Sequence, residues 1–493
     1  MRRGYSRVIL RFWCAMFLAA PFAFGQAQKP ASKTYVLKAA RMFDGKSNAL
    51  VKPGLVVVTD GKIAGVGPSA AIPAGAEVID FGDATLLPGF IDAHTHLTAM
   101  YSEDYKQSEL DQLQKTIAER ALDASANARV TLMAGITTVR DVGSSDYLDV
   151  GLRNAIRDRV IPGPRMLVCV HALGATGGHC DGEAGYRAGL FGHEAGPMEG
   201  VINGPEQARY AVRLDHKYGA DVIKVCATGG VLSLTDDVDT PQLTQEELNA
   251  IVDEAHALRR KAAAHAHGAE GAKRAIRAGI DSIEHGTFLD DEALDMMKAH
   301  GTYYVPTLLA PEGIQEQINK GTYIPPPILA KAKAAIASVH QTFQKALAKG
   351  VKIGMGTDAA VYAHGRNTEE FHLMGSGDEA DRCPEGRNFR GCRFTGAGGQ
   401  NWHARKGQAS GCPGGAGRSR GEYSTDGTRL FCDEGRRGLQ ERSRGGGALS
   451  FEEDPASPQT EELSWLIFPI PLQQTSPGTT NSLRLTFTSG STL

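Results

Sequence analysis

Between Leu86 and Ala359 the chain alternates short apolar runs with stretches whose apolar residues recur at helical spacing. The apolar runs that predict strands are LLPGFIDAHTHL (Leu86–Leu97), GITTVRDVG (Gly135–Gly143), RMLVCVHALG (Arg165–Gly174) and DVIKVCATGG (Asp221–Gly230). They continue with AAAHAHG (Ala262–Gly268), DSIEHGT (Asp281–Thr287), TYYVPTL (Thr302–Leu308) and VKIGMGTDA (Val351–Ala359). Segments such as TQEELNAIVDEAHALRRK and EGAKRAIRAG lie between them and predict helices. Eight parallel-type strands with intervening helices indicate an α/β fold of the (β/α)8 type, a TIM-like barrel. A doubly wound open sheet is the alternative. It would not explain why polar residues gather at the strand ends.

Ahead of the barrel, Thr34–Thr85 reads as short strands with an Asp60-Gly61 hairpin turn, which predicts a small N-terminal β-sandwich module. The expected division is a signal peptide over 1–25, this module over 26–85 and the barrel over 86–374. Past Met374 the pattern stops. Gly377–Gly435 is rich in Gly, Arg, Cys and Ser, with no period of two or of 3.6, so no buried face can be drawn. Assigned codons and read one nucleotide later, Gly377–Gly396 can encode MKPIDALKAATSAAADLLG, an amphipathic helix. Gly398–Leu439 can likewise encode a run of turns and strands containing EKGKQADVVAV. The segment 375–439 is therefore read as out of frame and disordered, which would disrupt the C-terminal completion of both barrel and sandwich. Residues 440–493 are rich in Ser, Thr, Pro and Gly, contain one apolar patch at Leu463–Leu472, and are expected to be a disordered tail.

Composition narrows the compartment and the partners. A formal net charge of −3 over 493 residues gives no electrostatic case for nucleic acid. Arg2, Arg3, Arg7 and Arg11 precede an apolar run from Phe12 to Phe24, with small residues near Gly25–Ala27, the outline of a secretory signal. The run is too short to span a bilayer, so a secreted or periplasmic protein with no membrane attachment after cleavage is expected. Outside the signal and the irregular tail only Cys169, Cys180 and Cys226 remain, with no CxxC pair. That spacing supports neither a disulfide framework nor a cysteine zinc site, and a bacterial periplasm would be compatible with free buried thiols.

His94, His96, Asp141, Lys224, His265, His267, His285 and Asp358 all fall at or near the C-terminal ends of their predicted strands. In a barrel those ends converge on one mouth, where catalytic groups sit. His94 and His96 are alternate residues of one strand and can grip one ion from the same side. Lys224, within the apolar VIKVC, is either an outward lysine or a buried amine of lowered pKa, able to form a carbamate that bridges two metals. His265 and His267 share a strand face; His265 is favoured as a ligand, and His267 either supports a ligand from behind or contacts the substrate. Asp358 is a helix N-cap or a ligand and general base. His179, in GATGGHCDG, is either an exposed loop histidine or a substrate-binding group. Arg140 and Asp141 are expected to pair with each other below the site. Tyr362, His364 and Arg366 follow the eighth strand and are further candidates for the pocket wall.

PGFIDAHTH, IKVCATGG, AHAHG, IEHGT and GTDA resemble the metal-dependent amidohydrolase superfamily, in particular its imidazolonepropionase-like and Xaa-Pro dipeptidase-like members. The resemblance covers roughly Thr34–Met374. It implies two Zn2+ per subunit, with His94, His96 and Asp358 on one, His265 and His285 on the other, and carboxylated Lys224 bridging them. It further implies that a metal-activated hydroxide cleaves an amide bond in a dipeptide or N-acyl amino acid, with Asp358 as proton carrier and His179 and His267 as substrate-binding groups. A cyclic amide such as an imidazolone, an ester or a lactone is the alternative substrate. An inactive product with an incomplete fold is the alternative from outside enzymology. The expected partner is a small molecule or dipeptide, and homo-oligomerisation is left open.

Overall fold

The structure is a computed structural model that describes residues 32–45, 50–375, 393–395, 401–403 and 467–471. The expected signal segment and most of the out-of-frame segment lie outside the described residues. Six strands come first: β1 (Thr34–Ala39), β2 (Arg41–Met42), β3 (Gly54–Thr59), β4 (Lys62–Val66), β5 (Glu77–Asp80) and β6 (Ala84–Pro88). The Asp60-Gly61 turn joins β3 to β4 with both residues at positive φ, 52° and 79°, the backbone whose twist suits a two-residue hairpin. One sheet has the order β4-β3-β1-β5, and β6 pairs with β2 in a second. Leu37, Ala39 and Val56 of the first sheet pack against Met42, Ala84 and Leu86 of the second, so a hydrophobic layer forms between them.

The barrel follows. Its strands and helices run β7 (Phe90–Thr95), α1 (Tyr105–Gln114), α2 (Ile117–Met133), β8 (Ile136–Asp141), α3 (Leu148–Arg157), β9 (Arg165–Val168), β10 (Ala172–Leu173) and α4 (Pro205–Tyr218). They continue with β11 (Val222–Cys226), α5 (Gln245–Ala257), β12 (Lys261–Gly268), α6 (Ala269–Ala278), β13 (Ser282–Phe288) and α7 (Asp291–His300). β14 (Tyr303–Val305), α8 (Leu309–Asn319), α9 (Pro326–Lys349), β15 (Lys352–Ile353) and a short α10 (Glu370–Gly375) complete it. Pairing is parallel in β7-β8-β9 and in β10-β11-β12-β13-β14-β15. The Asp221 N–H donates to the Val168 carbonyl at 2.8 Å across one gap between these sheets. The Ala93 N–H donates to the Met355 carbonyl at 2.9 Å across the other, and Thr95 bridges Ala359 in parallel. The sheet thus closes on itself.

Buried on both faces, the barrel strands read as unbroken apolar runs: every residue of β11 is buried, as is every residue of β12 after Lys261. Helix starts are written locally as well. Thr116 with Glu119, and Thr244 with Glu247, form complete capping boxes at α2 and α5.

Four expectations about elements need correction. Leu86–Leu97 is two strands, because β6 belongs to the small module and only Phe90–Thr95 enters the barrel. Arg165–Gly174 breaks at Val170, whose φ of 72° cannot continue a strand. Disorder was expected through 440–493, yet β18 (Ile467–Pro471), within the apolar patch, pairs antiparallel with β6. It takes an edge of β6 that would otherwise present unpaired backbone groups. Within 375–439, β16 (Arg393–Thr395) and β17 (Asn401–His403) form a two-stranded antiparallel ladder.

Candidate functional site

β7, β11, β12, β13 and the turn after β15 deliver their polar residues to the same end of the barrel. His94, His96, Lys224, His265, His267, His285, Asp358 and His179 all line one cavity of about 280 Å³. These eight are the residues expected from the sequence, and the fold brings all of them together. The ring centroids of His94 and His285 are 4.8 Å apart, those of His265 and His285 4.6 Å, and those of His267 and His285 4.9 Å. Asp358 Oδ1 lies 3.5 Å from His94 Nε2 and 3.3 Å from His96 Nε2, while Oδ2 lies 4.0 Å from His285 Nδ1. Lys224 is buried and faces this cavity, which excludes the outward-lysine alternative.

Each of these imidazoles has one ring nitrogen engaged by a protein group. His94 Nδ1 is 2.9 Å from Glu284 Oε2, His267 Nδ1 is 2.8 Å from Thr287 Oγ1, and His285 Nδ1 is 2.8 Å from Thr307 Oγ1. His265 Nε2 donates to the Gly229 carbonyl at 3.1 Å, and His96 Nδ1 lies 3.3 Å from the Gly143 carbonyl. Such outer partners set tautomer and ring orientation in metal sites. His94 Nε2 is buried without a hydrogen-bond partner, an arrangement that costs free energy unless another group satisfies it. Single ligand atoms from His265, His267 and His285 lie within 4.8 Å of one another, as do those from His94, His285 and Asp358. The donor set therefore fits metal binding. It gives His267 the same claim as His265, so the preference for His265 finds no geometric support.

Electrostatics agrees with that use. Burial pushes His94 down to about 4, His267 to about 3, and His265 and His285 well below the usual range, so these rings are neutral and can donate lone pairs. Burial acts downward on His96 too, but its hydrogen bond to Asp358 and the charge of that carboxylate raise it overall. Burial also lowers the Lys224 amine, against the pull of Glu284 and Asp358. For Asp358 burial acts upward, but the His96 hydrogen bond and the positive sides of His94, His96 and Lys224 hold its carboxyl well below the usual range.

The backbone is bent to hold these groups. His285 and Asp358 are both left-handed, at φ 67° and 59°, a conformation that non-glycine residues adopt at a cost of roughly 1–3 kcal/mol when the surroundings impose it. Gly286 follows at φ 55°, and a Cβ there would meet the Tyr304 ring at 2.5 Å, while the Tyr304 hydroxyl donates to the His285 carbonyl at 2.9 Å. The IEHGT turn therefore requires its glycine. Asp92, buried, accepts from the His94 and Thr357 N–H groups and from the side chains of Thr357 and Asn367. One carboxylate thus locks the first strand to the turn that carries Asp358.

Several expectations change. Arg140 does not pair with Asp141: its guanidinium donates to Glu284 Oε1 at 2.7 Å and to the Ala93 carbonyl. Asp141 instead accepts from the Leu97 N–H at 2.6 Å and from the Thr95 hydroxyl. The side chains alternate along β8, so neighbours in sequence point to opposite faces. Tyr362, His364 and Arg366 do not line the cavity. Tyr362 is fully buried, the His364 ring contacts the Ala99 carbonyl, and Arg366 is taken up by Glu316 and Glu369. Cys180 and Cys226, for which the spacing supported no disulfide framework, are joined as a disulfide with Cα atoms 6.0 Å apart, and Cys169 is free and buried. Their separation of 46 residues hides the pairing, because only the fold brings the loop after β10 over the end of β11.

Glu284, Thr287, Thr307 and Asp92 are the residues that sequence reasoning missed. For Glu284 a signal existed: a carboxylate inside the apolar run before His285 needs a partner. It has two, His94 and Arg140. Above the polar floor the cavity wall is apolar, built by Val231, Pro306, Ile314, Ala332, Ala335 and Val361.

A model described as the amidohydrolase family matches residues 85–392. Ochratoxinase of Aspergillus niger is 33% identical over 353 residues, covering 67% of this chain and 70% of that protein. Among solved structures, a Xaa-Pro dipeptidase with bound methionine in its active site superposes with a TM-score of 0.64 at 38% identity, covering 70% of this chain and 84% of that one. A prolidase complexed with N-methylphosphonate-L-proline gives a TM-score of 0.62 at 30% identity, covering 70% and 83%.

Proposed function

The chain belongs to the amidohydrolase family and is a hydrolytic enzyme, and from that premise we propose that it cleaves the amide bond of dipeptides or N-acyl amino acids with apolar side chains. The observation that carries the reading is the cavity itself, lined by five residues placed for metal ligation (His94, His265, His267, His285 and Asp358) and by aliphatic side chains. Ochratoxinase, the Xaa-Pro dipeptidase and the prolidase supply the substrate class by likeness.

In this proposal His94, His96 and Asp358 would hold one Zn2+, His265 and His285 would hold a second, and a carboxylated Lys224 would serve both. Ions bound there supply Lewis acidity and lower the pKa of water toward neutrality. The chain's own part begins with orientation. Glu284, Thr307 and the Gly229 carbonyl fix the rings of His94, His285 and His265, so that no ring must rotate during turnover. Asp358, ionised and facing the cavity, accepts a proton at its carboxylate and returns it to the departing amine. The apolar wall excludes water from the far side and takes an aliphatic or aromatic side chain. The segment Arg2–Ala27 supports export as part of the same reading. No helix among the described residues is long and apolar enough to cross a membrane.

The test is a panel of dipeptides and N-acyl amino acids offered to the zinc-loaded and the metal-stripped protein, with bound metal counted by elemental analysis. Hydrolysis of Phe-, Leu- or Met-containing members by the loaded form alone is expected. A loaded protein with two ions that cleaves none of them would overturn the reading.

A further inference from the structure

His179 is held more tightly than a loop histidine needs to be. Its backbone N–H donates to Gln242 Oε1 at 2.9 Å, and its neighbour Cys180 is tied to Cys226 at the end of β11. Its ring lies flat on Gly230, where a Cβ would meet Nδ1 at 2.1 Å, and against His265 with centroids 4.3 Å apart. On the far side Nδ1 is 3.1 Å from Ser233 Oγ. Ser233 Oγ is in turn 2.6 Å from Asp236 Oδ1. Asp236 also accepts from Lys331 Nζ at 3.0 Å and from Gln242 Nε2 at 2.9 Å. Lys331 lies on α9 beside Ala332 of the cavity wall. A partly buried chain of contacts therefore runs from α9 through Asp236 and Ser233 to the ring.

Proton counting along that chain has one solution. A carboxylate that already accepts from Lys331 and Gln242 carries no proton, so at 2.6 Å the hydrogen between it and Ser233 must come from the serine hydroxyl. Ser233 has one hydrogen, and both of its acceptors, Asp236 Oδ1 at 2.6 Å and the Gly230 carbonyl at 3.1 Å, draw it away from His179. With it turned to Asp236, the serine oxygen can only accept from His179, which places a hydrogen on Nδ1. The neutral ring then carries its lone pair on Nε2, and that atom is on the side of the ring away from Ser233. We propose that Asp236, acting through Ser233, is a positioning residue that fixes His179 as the Nδ1–H tautomer and presents Nε2 to the cavity as a hydrogen-bond acceptor. The matching feature on the substrate is an N–H donor, such as a secondary amide or an amino group. This recognition rests on the amide-hydrolase reading above; the tautomer does not.

Two measurements separate the claims. Nitrogen-15 NMR of histidine-labelled protein, with His179 assigned by its loss in His179→Gln, reports the proton position without turnover. A protonated-type Nδ1 and a bare-type Nε2 are expected in the wild type and in Ser233→Thr, with the preference lost in Ser233→Ala. A bare Nδ1 in the wild type would overturn the proposal. In the second arm, N-acetylphenylalanine is compared with its N-methyl derivative, which lacks the N–H. One hydrogen bond predicts a ratio of kcat/KM about tenfold larger in the wild type and Ser233→Thr than in Ser233→Ala, with the change chiefly in KM. An equal ratio in all three would overturn the acceptor role. Where neither compound is hydrolysed, binding of the same pair by calorimetry decides the acceptor role by the same ratio, and the amide-hydrolase reading is left to the full substrate panel.

Discussion

Glu284 Oε2 sits 2.9 Å from His94 Nδ1, and the same carboxylate takes the Arg140 guanidinium at 2.7 Å on its other oxygen. Burial acts on Glu284 upward, but Arg140 and the bonded His94 bring it down to about 2, so it stays ionised in a dry barrel. It therefore holds the His94 ring with its proton on Nδ1 and its lone pair turned toward Asp358. Glu284→Gln is expected to weaken zinc binding by about 10–100-fold, the usual cost of losing such an outer partner. Competition with a chelating dye measures it. Unchanged affinity in a folded variant would show that Glu284 only neutralises Arg140.

Lys224 reaches the same centre from β11, where every neighbouring residue is buried. Its amine, lowered by burial, is suited to react with carbon dioxide. Wild-type protein grown with 13C-bicarbonate should show a carbamate carbon resonance and hold two ions per chain. Lys224→Arg should lose the resonance and at least one ion. Two ions retained by the arginine variant would remove the bridging role.

The apolar wall makes a steric prediction. Ala332 and Ala335 are fully or almost fully buried, and α9 offers these small side chains to the cavity. Ala335→Leu takes space from an apolar substrate side chain. Discrimination of this kind is worth roughly 10–200-fold. kcat/KM for phenylalanine-containing substrates should fall by about that factor, while alanine-containing ones change little. Equal losses for both would mean that the helix moved and the pocket was not simply narrowed.

Glu370 carries a pH dependence of stability away from the metal ligands. Burial pushes its carboxyl from 4.5 up to about 8, although it accepts the N–H groups of Leu308 and Leu309. A raised acid binds a proton on folding, so its stabilising contribution is full below about pH 4.5 and is lost as pH rises through about 8. The difference in unfolding free energy between the wild type and Glu370→Gln should fall steadily across that window in urea titrations. A difference independent of pH would sink the assignment.

Much of this protein was legible from the chain because its signals are local. The uninterrupted apolar runs and capped amphipathic segments specify a parallel barrel, and the strand ends carry His94, His96, Lys224, His265, His285 and Asp358, which do meet at one cavity. The Asp60-Gly61 turn was equally local, since two residues at positive φ need little beyond their own identities.

What the sequence left open depends on contacts between distant elements. Nothing near Arg140 tells that it passes over Asp141 to reach Glu284, 144 residues on, because that choice is made by strand register around the barrel. The Cys180–Cys226 pairing, the Asp236–Ser233–His179 chain and the split of Leu86–Leu97 between two sheets are of the same kind. Residue type and periodicity determined which groups arrive at the mouth of the barrel. Only the tertiary structure decided which nitrogen of each ring is spent on the protein and which is left for chemistry, since hydrogen-bond partners are fixed by packing in three dimensions.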